Sequence, residues 1–141
     1  MDGYKTIVAC LDGSEQQDIV LERAIGVAER NKAKLIVAHA IDSTALEAAG
    51  AYPVDLIKGL KEAFNKSIAE LVDKAKECGV DVEVKVVAGR IRETLRDILD
   101  EVNPDLIMCG SRGLSGIKYA LLGSVSTFLL RYSDCDLMVI K

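Results

Sequence analysis

Asp105 to Ser126 reads DLIMCGSRGLSGIKYALLGSVS, and this stretch decides how the chain is expected to fold. It begins with a short apolar run, Leu106 to Cys109, bounded by an acidic residue and a glycine, which is typical of a buried strand. A loop with three glycines follows: Gly110, Gly113 and Gly116. After the loop, an apolar stretch opens with Gly123, Ser124, Val125 and Ser126. Glycines let the backbone approach an anion, and a helix start offers free amides, so the stretch is a candidate phosphate site.

The glycine pattern admits two interpretations. It is not a Walker loop, because no Gly-Lys-Ser/Thr follows, and it is not the dinucleotide Gly-x-Gly-x-x-Gly. In one interpretation the loop and the helix start hold phosphates. In the other the loop is a plain turn between strand and helix, and Ser124 merely caps the helix. The spacing alone fits both.

Further segments point to a known family. The chain has VACLDGS near its start, IVAHAID in its second apolar run, the GSRG loop and a hydrophobic final run. Over nearly its whole length it resembles the ATP-binding branch of the universal stress protein family, whose glycine pattern it carries complete. The resemblance implies a nucleotide site at the glycine loop.

The bulk composition is that of one soluble domain. With 141 residues, 50% of them hydrophobic and 28% charged, we expect a single nucleotide-binding domain over residues 1–141. A net charge of −4 argues against a general nucleic-acid surface or a surface for anionic membranes. No run reaches the ~18 apolar residues of a membrane helix, and the N-terminus lacks a signal peptide core. The four cysteines show no metal-type spacing, so we expect a cytoplasmic protein with reduced thiols and no metal site.

Apolar patterning predicts alternating strands and helices. The predicted strands are Lys5 to Leu11, Leu35 to Ile41, Val82 to Val87, Leu106 to Cys109 and Leu137 to Ile140. The capping-box pattern Ser14-x-x-Gln17 predicts the start of a first helix, with a stripe of Val20, Ala24, Val27 and Ala28. A second helix carries Leu56, Leu60, Phe64, Leu71, Ala75 and Cys78 and ends at Gly79. A third carries Ile91, Leu95, Ile98 and Val102 and stops at Asn103-Pro104, and a fourth carries Leu121, Val125, Phe128, Leu129 and Tyr132. Asp42 to Pro53 is predicted to be a loop with at most a helical turn.

Strict alternation predicts an α/β fold with a five-stranded parallel sheet and helices on both faces. Five strands fit the doubly wound order 3-2-1-4-5, which the resemblance also implies. In that order strand 1 is the switch point, and ligands bind beyond the carboxyl ends of the strands there. Asp12 follows strand 1 and Gly110 follows strand 4, so both should border one crevice.

The crevice and the resemblance together give the candidate site residues. Asp12 is placed to accept hydrogen bonds from a ribose, and its alternative role is an Asx turn into the first helix. The resemblance implies that the backbone of Ala40 meets the adenine edge and that Leu11 and Cys109 flank the base or ribose. The residues expected to hold the phosphates are Gly110, Arg112, Gly113, Gly123, Ser124, Val125 and Ser126. Arg112, a cation at the loop tip, could equally be solvated.

His39 is the one histidine of the chain and lies in an apolar strand. We expect it to be a satisfied core residue rather than a catalyst. No other residue pattern indicates a catalytic group, because phosphoryl transfer needs a positioned base and charge stabilisation that the motif does not supply.

The function predicted from the sequence is a small cytoplasmic ATP-binding stress protein that acts as a nucleotide-dependent switch or sensor. AMP or a cyclic nucleotide are alternative ligands, and Mg²⁺ would be held through the phosphates. One rival is a slow Mg²⁺-dependent ATP hydrolase, and another is a structural interaction dimer that binds no nucleotide. A homodimer is expected through the apolar edge strand 137–140, and the downstream protein partner is not indicated.

Overall fold

The computed structural model describes residues 3–48, 50, 54–111 and 123–141. Its strands are β1 (Thr6–Cys10), β2 (Lys34–Asp42), β3 (Asp81–Gly89), β4 (Leu106–Gly110) and β5 (Asp136–Ile140). Its helices are α1 (Gln17–Asn31), α2 (Thr44–Ala48), α3 (Val54–Glu77), α4 (Ile91–Val102) and α5 (Ser124–Tyr132). Within these ranges no helix combines the length and the apolar character needed to cross a membrane.

The strands form one parallel sheet in the order β3-β2-β1-β4-β5, which confirms the predicted topology. Side chains of β1 alternate between the two faces. Ile7 and Ala9 pack into a core with α1 and α3, whereas Val8 and Cys10 pack into a second core with α4 and α5. β1 is therefore covered on both sides, which explains why its sequence does not alternate between apolar and polar residues.

The ends of the helices follow local backbone chemistry. Gly79, at φ +86°, follows α3, and the non-glycine residues Lys32 and Asn103 adopt φ 54° and φ 51° directly after α1 and α4. These left-handed residues end their helices, as the sequence predicted for Gly79 and for the Asn103-Pro104 pair. The Asp105 carboxylate accepts hydrogen bonds from the amides of Lys5 (2.9 Å) and Thr6 (3.0 Å), so it joins the start of β4 to the start of β1.

Two local predictions were wrong. The Ser14 capping box does not form: α1 begins at Gln17 without a side-chain cap, and the Ser14 hydroxyl accepts from the amide of Gln16 at 3.3 Å. The cause is Asp12, whose Oδ1 accepts from the Ser14 amide at 2.9 Å and turns the chain before the helix can start.

The buried face of α3 also differs from the predicted stripe. Phe64 and Ala75 are buried as expected, but Leu56, Leu60 and Cys78 are exposed. The buried stripe contains Ile57, Phe64, Ile68, Val72 and Ala75 instead. Apolar residues occupy two adjoining faces at the start of this helix, and only one of these faces lies against the sheet. Leu121, predicted for the last helix, lies outside the described residues, whereas Leu129 of that stripe is fully buried.

Candidate functional site

A cavity of about 420 Å³ opens at the carboxyl ends of β1, β2 and β4, and we call it the edge pocket. This volume is in the range of small-molecule sites. The pocket lies at the switch point of the strand order, where α/β sheets bind ligands. Its lining residues are Cys10, Leu11, Asp12, Gly13, His39, Ala40, Ile41, Asp42, Leu60, Ile91, Leu95, Cys109, Gly110, Ser124 and Val125.

The turn after β1 presents Asp12 to the pocket. Gly13 adopts φ +76°, and the amide of Ser14 donates to Asp12 Oδ1 at 2.9 Å. The Asx turn considered for this aspartate is therefore present. A carboxylate accepts hydrogen bonds through two oxygens, so the turn still leaves acceptor capacity that a ligand could use.

Ala40, Ile41 and Asp42 at the end of β2 form the opposite side of the pocket. The buried Ala40 leaves room, and Ile41 adds apolar surface. The Asp42 carboxylate accepts from both the hydroxyl and the amide of Thr44, and these bonds, the hydroxyl first, hold the Asp42 pKa below its usual value. Asp42 is therefore ionised at neutral pH.

The start of α5 contributes amides to the pocket. Gly123 is the N-cap residue, and no side chain in the described part of the chain caps this end of the helix. The hydroxyls of Ser126 and Thr127 donate to the Gly123 carbonyl, so they do not cover the free amides of the first turn. Ser124 is exposed on the pocket wall and is the first helical residue rather than a cap. The helix thus offers its positive end and first-turn amides that no side chain of the described residues caps, as an anion site requires.

Gly110, at the end of β4, lies against the Gln16 side chain, and only the flexible end of Gln16 would have to shift if a larger residue stood there. A Cβ atom on this residue would lie 2.7 Å from Gln16 Oε1 and 3.5 Å from Gln16 Cβ. Gln16 Nε2 also donates to Ser111 Oγ at 3.3 Å. The start of α1 therefore packs directly over the end of β4, next to Gly110 of the edge pocket.

Two cysteines form the floor of the pocket. Cys10 and Cys109 are register partners on β1 and β4, and both are buried. Burial raises the pKa of Cys109 to about 12, with a further contribution from the Asp12 charge, and burial also raises the pKa of Cys10. Both groups are protonated thiols at neutral pH and act as small apolar surfaces rather than as nucleophiles.

His39 lines the pocket and also supports it. Its Nδ1 lies 2.7 Å from the Leu11 carbonyl oxygen, and its ring stacks on Phe64 with centroids 4.1 Å apart and planes at 7°. The half-buried ring thus makes the structural contacts expected from the sequence, and in addition it forms part of the cavity wall.

The structure brings most of the predicted site residues together. The residues that line the edge pocket are Leu11, Asp12, Ala40, Cys109, Gly110, Ser124 and Val125. Gly123 and Ser126 are adjacent, in the cap and the first turn of α5. Arg112 and Gly113 lie outside the described residues. Across the described part of the chain, no group of three or more His, Cys, Asp or Glu side chains could hold a metal ion.

Several lining residues were not predicted from the sequence. Ile41 and Asp42 could have been found, because they follow Ala40 at the same carboxyl edge of β2. Leu60, Ile91 and Leu95 belong to helices, and nothing in their periodicity distinguishes a residue above the sheet edge from an ordinary core residue. The pocket therefore joins an apolar wall, two carboxylates and an uncapped helix start, which suits a ligand with an apolar ring and an anionic group.

Comparison with known proteins agrees with this architecture. The model of the universal stress protein family matches residues 3–141. A putative universal stress protein of Staphylococcus aureus (strain USA300) is 32% identical over 140 residues, which cover 98% of this chain and 84% of the relative.

Solved structures show the same fold. UspA from Lactobacillus plantarum superposes with a TM-score of 0.86 at 18% identity, covering 99% of both chains. A universal stress protein crystallised in complex with cAMP superposes with a TM-score of 0.70 at 32% identity, covering 98% of this chain and 97% of the other. Because the family model spans nearly the whole sequence, the chain belongs to the universal stress protein family.

Proposed function

We propose that this protein binds an adenine nucleotide in the edge pocket. The observation that carries the proposal is the layout of the pocket: an apolar wall on β2 and α4, Asp12 in the middle, and the uncapped start of α5 at the far side. A nucleotide has the same sequence of chemical parts, namely an apolar base, a hydroxyl-bearing sugar and an anion. The related protein at 32% identity that was crystallised with cAMP supports the assignment.

The strand order supports one orientation of the proposed ligand. β1 lies between β2 and β4, so their carboxyl ends stand in the order β2, β1, β4 along the pocket. In the proposed complex the base lies beside Ala40, the ribose hydroxyls donate to Asp12, and the phosphates face Gly110 and the first-turn amides of α5. Arg112 and Gly113 of the glycine loop are proposed to complete the phosphate site.

ATP is the proposed ligand, with AMP and a cyclic nucleotide as alternatives. A triphosphate would bring Mg²⁺ bound through its phosphate oxygens, the usual manner for this ion with nucleotides. In the proposed role the protein is a cytoplasmic switch whose nucleotide state controls contacts with other proteins.

The first experiment identifies the ligand. The protein is purified without denaturation, then unfolded, and the released small molecules are analysed by mass spectrometry. Calorimetric titrations with ATP, AMP and cAMP, each with and without Mg²⁺, rank the affinities. Release or binding of one of these nucleotides supports the proposal, and a folded protein that binds none of them contradicts it.

A charge substitution at the start of α5 tests the orientation. Ser124→Glu adds a negative charge beside the proposed phosphate position, while an acidic residue in the first turn of a helix does not destabilise the helix. Ser124→Gln has the same size without the charge and is the matched control. Repulsion of about 1 kcal/mol predicts about fivefold weaker ATP binding for the Glu variant than for the Gln variant, and no difference for adenosine. Equal ATP affinities would place the phosphates elsewhere.

We also propose a homodimer through β5. This strand is an edge of the sheet, and Met138 exposes 37% of its surface there. An apolar edge strand is a template for pairing with a second copy across a two-fold axis. Light scattering at micromolar concentration should give twice the mass of the chain, and Val139→Pro, which removes an edge amide, should give a monomer. A monomeric mass for the unaltered protein contradicts this proposal.

A further inference from the structure

His39 connects three parts of the site. Its Nδ1 lies 2.7 Å from the carbonyl oxygen of Leu11, the residue directly before Asp12. Its ring stacks almost parallel on Phe64 of α3. The ring therefore lies between α3 and the turn that carries Asp12.

The hydrogen bond determines the protonation of Nδ1. A backbone carbonyl can only accept, so Nδ1 carries the hydrogen and donates it to Leu11. Leu11 lies just beyond β1, where its amide still donates to the Ala38 carbonyl at 2.9 Å. The imidazole thus donates a hydrogen bond to a carbonyl that lies beyond the last residue of β1. This bond holds the peptide that leads into Asp12.

We propose that His39 is a positioning residue for Asp12, acting through the Leu11 carbonyl; the inference rests on the proposed nucleotide site for its effect on binding. Within the turn, the Ser14 amide holds the Asp12 carboxylate directly by donating to Oδ1. Removal of the His39 donor frees the Leu11–Asp12 peptide, so the carboxylate loses its fixed direction toward the pocket. The stack on Phe64 keeps the imidazole in the orientation in which Nδ1 reaches the carbonyl.

Three variants distinguish the role of the His39 N–H donor from the role of its ring. His39→Phe keeps an aromatic ring for Phe64 but has no donor. His39→Asn keeps a side-chain N–H at the position of Nδ1 but has no ring. His39→Leu is a second donor-free variant and should behave like His39→Phe. Circular dichroism and urea unfolding establish that each variant is folded.

The binding experiment is a double-mutant cycle with Asp12→Ala, measured by calorimetry with ATP. Loss of the donor is expected to weaken binding about fivefold in the presence of Asp12 and to have no effect in its absence. His39→Asn should recover most of the affinity. Equal weakening in both backgrounds overturns the proposal, because His39 would then act independently of Asp12.

A second experiment needs no nucleotide. Amide hydrogen exchange of Ser14 reports the hydrogen bond to Asp12, and protection of this amide should fall about fivefold in His39→Phe and in His39→Leu. Unchanged protection overturns the positioning role. If the unaltered protein binds no nucleotide, the proposed function fails, while the exchange of Ser14 still decides the role of His39.

Discussion

Leu129 and Leu130 are neighbours on α5 with opposite environments. Leu129 is 0% exposed and packs in the core beneath α4 and α5, whereas Leu130 is 59% exposed. Replacing either one by alanine removes the same three carbon atoms from the same helix. The helix propensity changes equally in both variants, so the difference in their stability reports the burial of Leu129 alone.

The expected loss of stability in Leu129→Ala follows from the burial of the Leu129 side chain. Loss of three buried carbon groups at about 0.8 kcal/mol each gives about 2.4 kcal/mol, and the cavity left behind raises the cost of Leu129→Ala to about 3–4 kcal/mol. Leu130→Ala should change the free energy of unfolding by less than ~0.5 kcal/mol. At about 3 °C per kcal/mol, Leu129→Ala should lower Tm by about 10 °C.

Urea unfolding followed by circular dichroism measures both variants. The slope of the free energy of unfolding against urea concentration should stay the same in both variants, because the surface exposed on unfolding hardly changes. Since the start of α5 lines the edge pocket, Leu129→Ala should also weaken binding of the proposed nucleotide, and Leu130→Ala should not. Equal losses of stability, or a loss below about 1 kcal/mol for Leu129→Ala, would refute the packing of α5 described above.

Three further predictions concern single groups. Lys32→Gly should raise the free energy of unfolding, measured with urea, by about 0.5–1 kcal/mol, because glycine adopts the left-handed conformation after α1 without steric cost. A lower free energy of unfolding in this variant would contradict the prediction. At pH 8 a thiol reagent should label the exposed Cys78 in the folded protein, whereas Cys109, with its pKa raised to about 12, should react only on unfolding, as peptide mass mapping would show. Thr44→Val should raise the pKa of Asp42 toward its ordinary value in an NMR titration. Since folding lowers this pKa, the contribution of ionised Asp42 to the stability of the folded protein is complete above the unfolded pKa of about 4 and disappears as the pH falls through the folded pKa. An unchanged Asp42 pKa would exclude Thr44 as the cause.

The sheet could be predicted because its signals are local and redundant. Continuous apolar runs mark strands covered on both faces, and Gly79 and the Asn103-Pro104 pair end helices by backbone conformation alone. The helix start at Gln17 could not be predicted from Ser14, because Asp12 competes for the Ser14 amide, and a capping pattern does not contain that competitor.

Some residues of the candidate site could also be predicted from the sequence, and others could not. Residues at strand ends, such as Asp12 and Gly110, follow from strand order together with the rule that parallel strands end at one edge. Leu60 and Leu95 reach the pocket only through the height at which their helices cross the sheet. That height is set by tertiary packing, and the same apolar period would describe a helix without any pocket.

The pairing of β1 with β4 also bears on how the protein is made. Thr6 and Asp105, which join the starts of these two strands, are 99 positions apart in the chain. During synthesis from the N-terminus, β1 and β2 can pair early, but the central strand has an open side until β4 has emerged. Such distant pairing slows folding, because a long loop must close before the contact forms. The edge pocket is consequently among the last features to be completed on a nascent chain, so the proposed nucleotide would stabilise only the finished domain and would not guide its first steps.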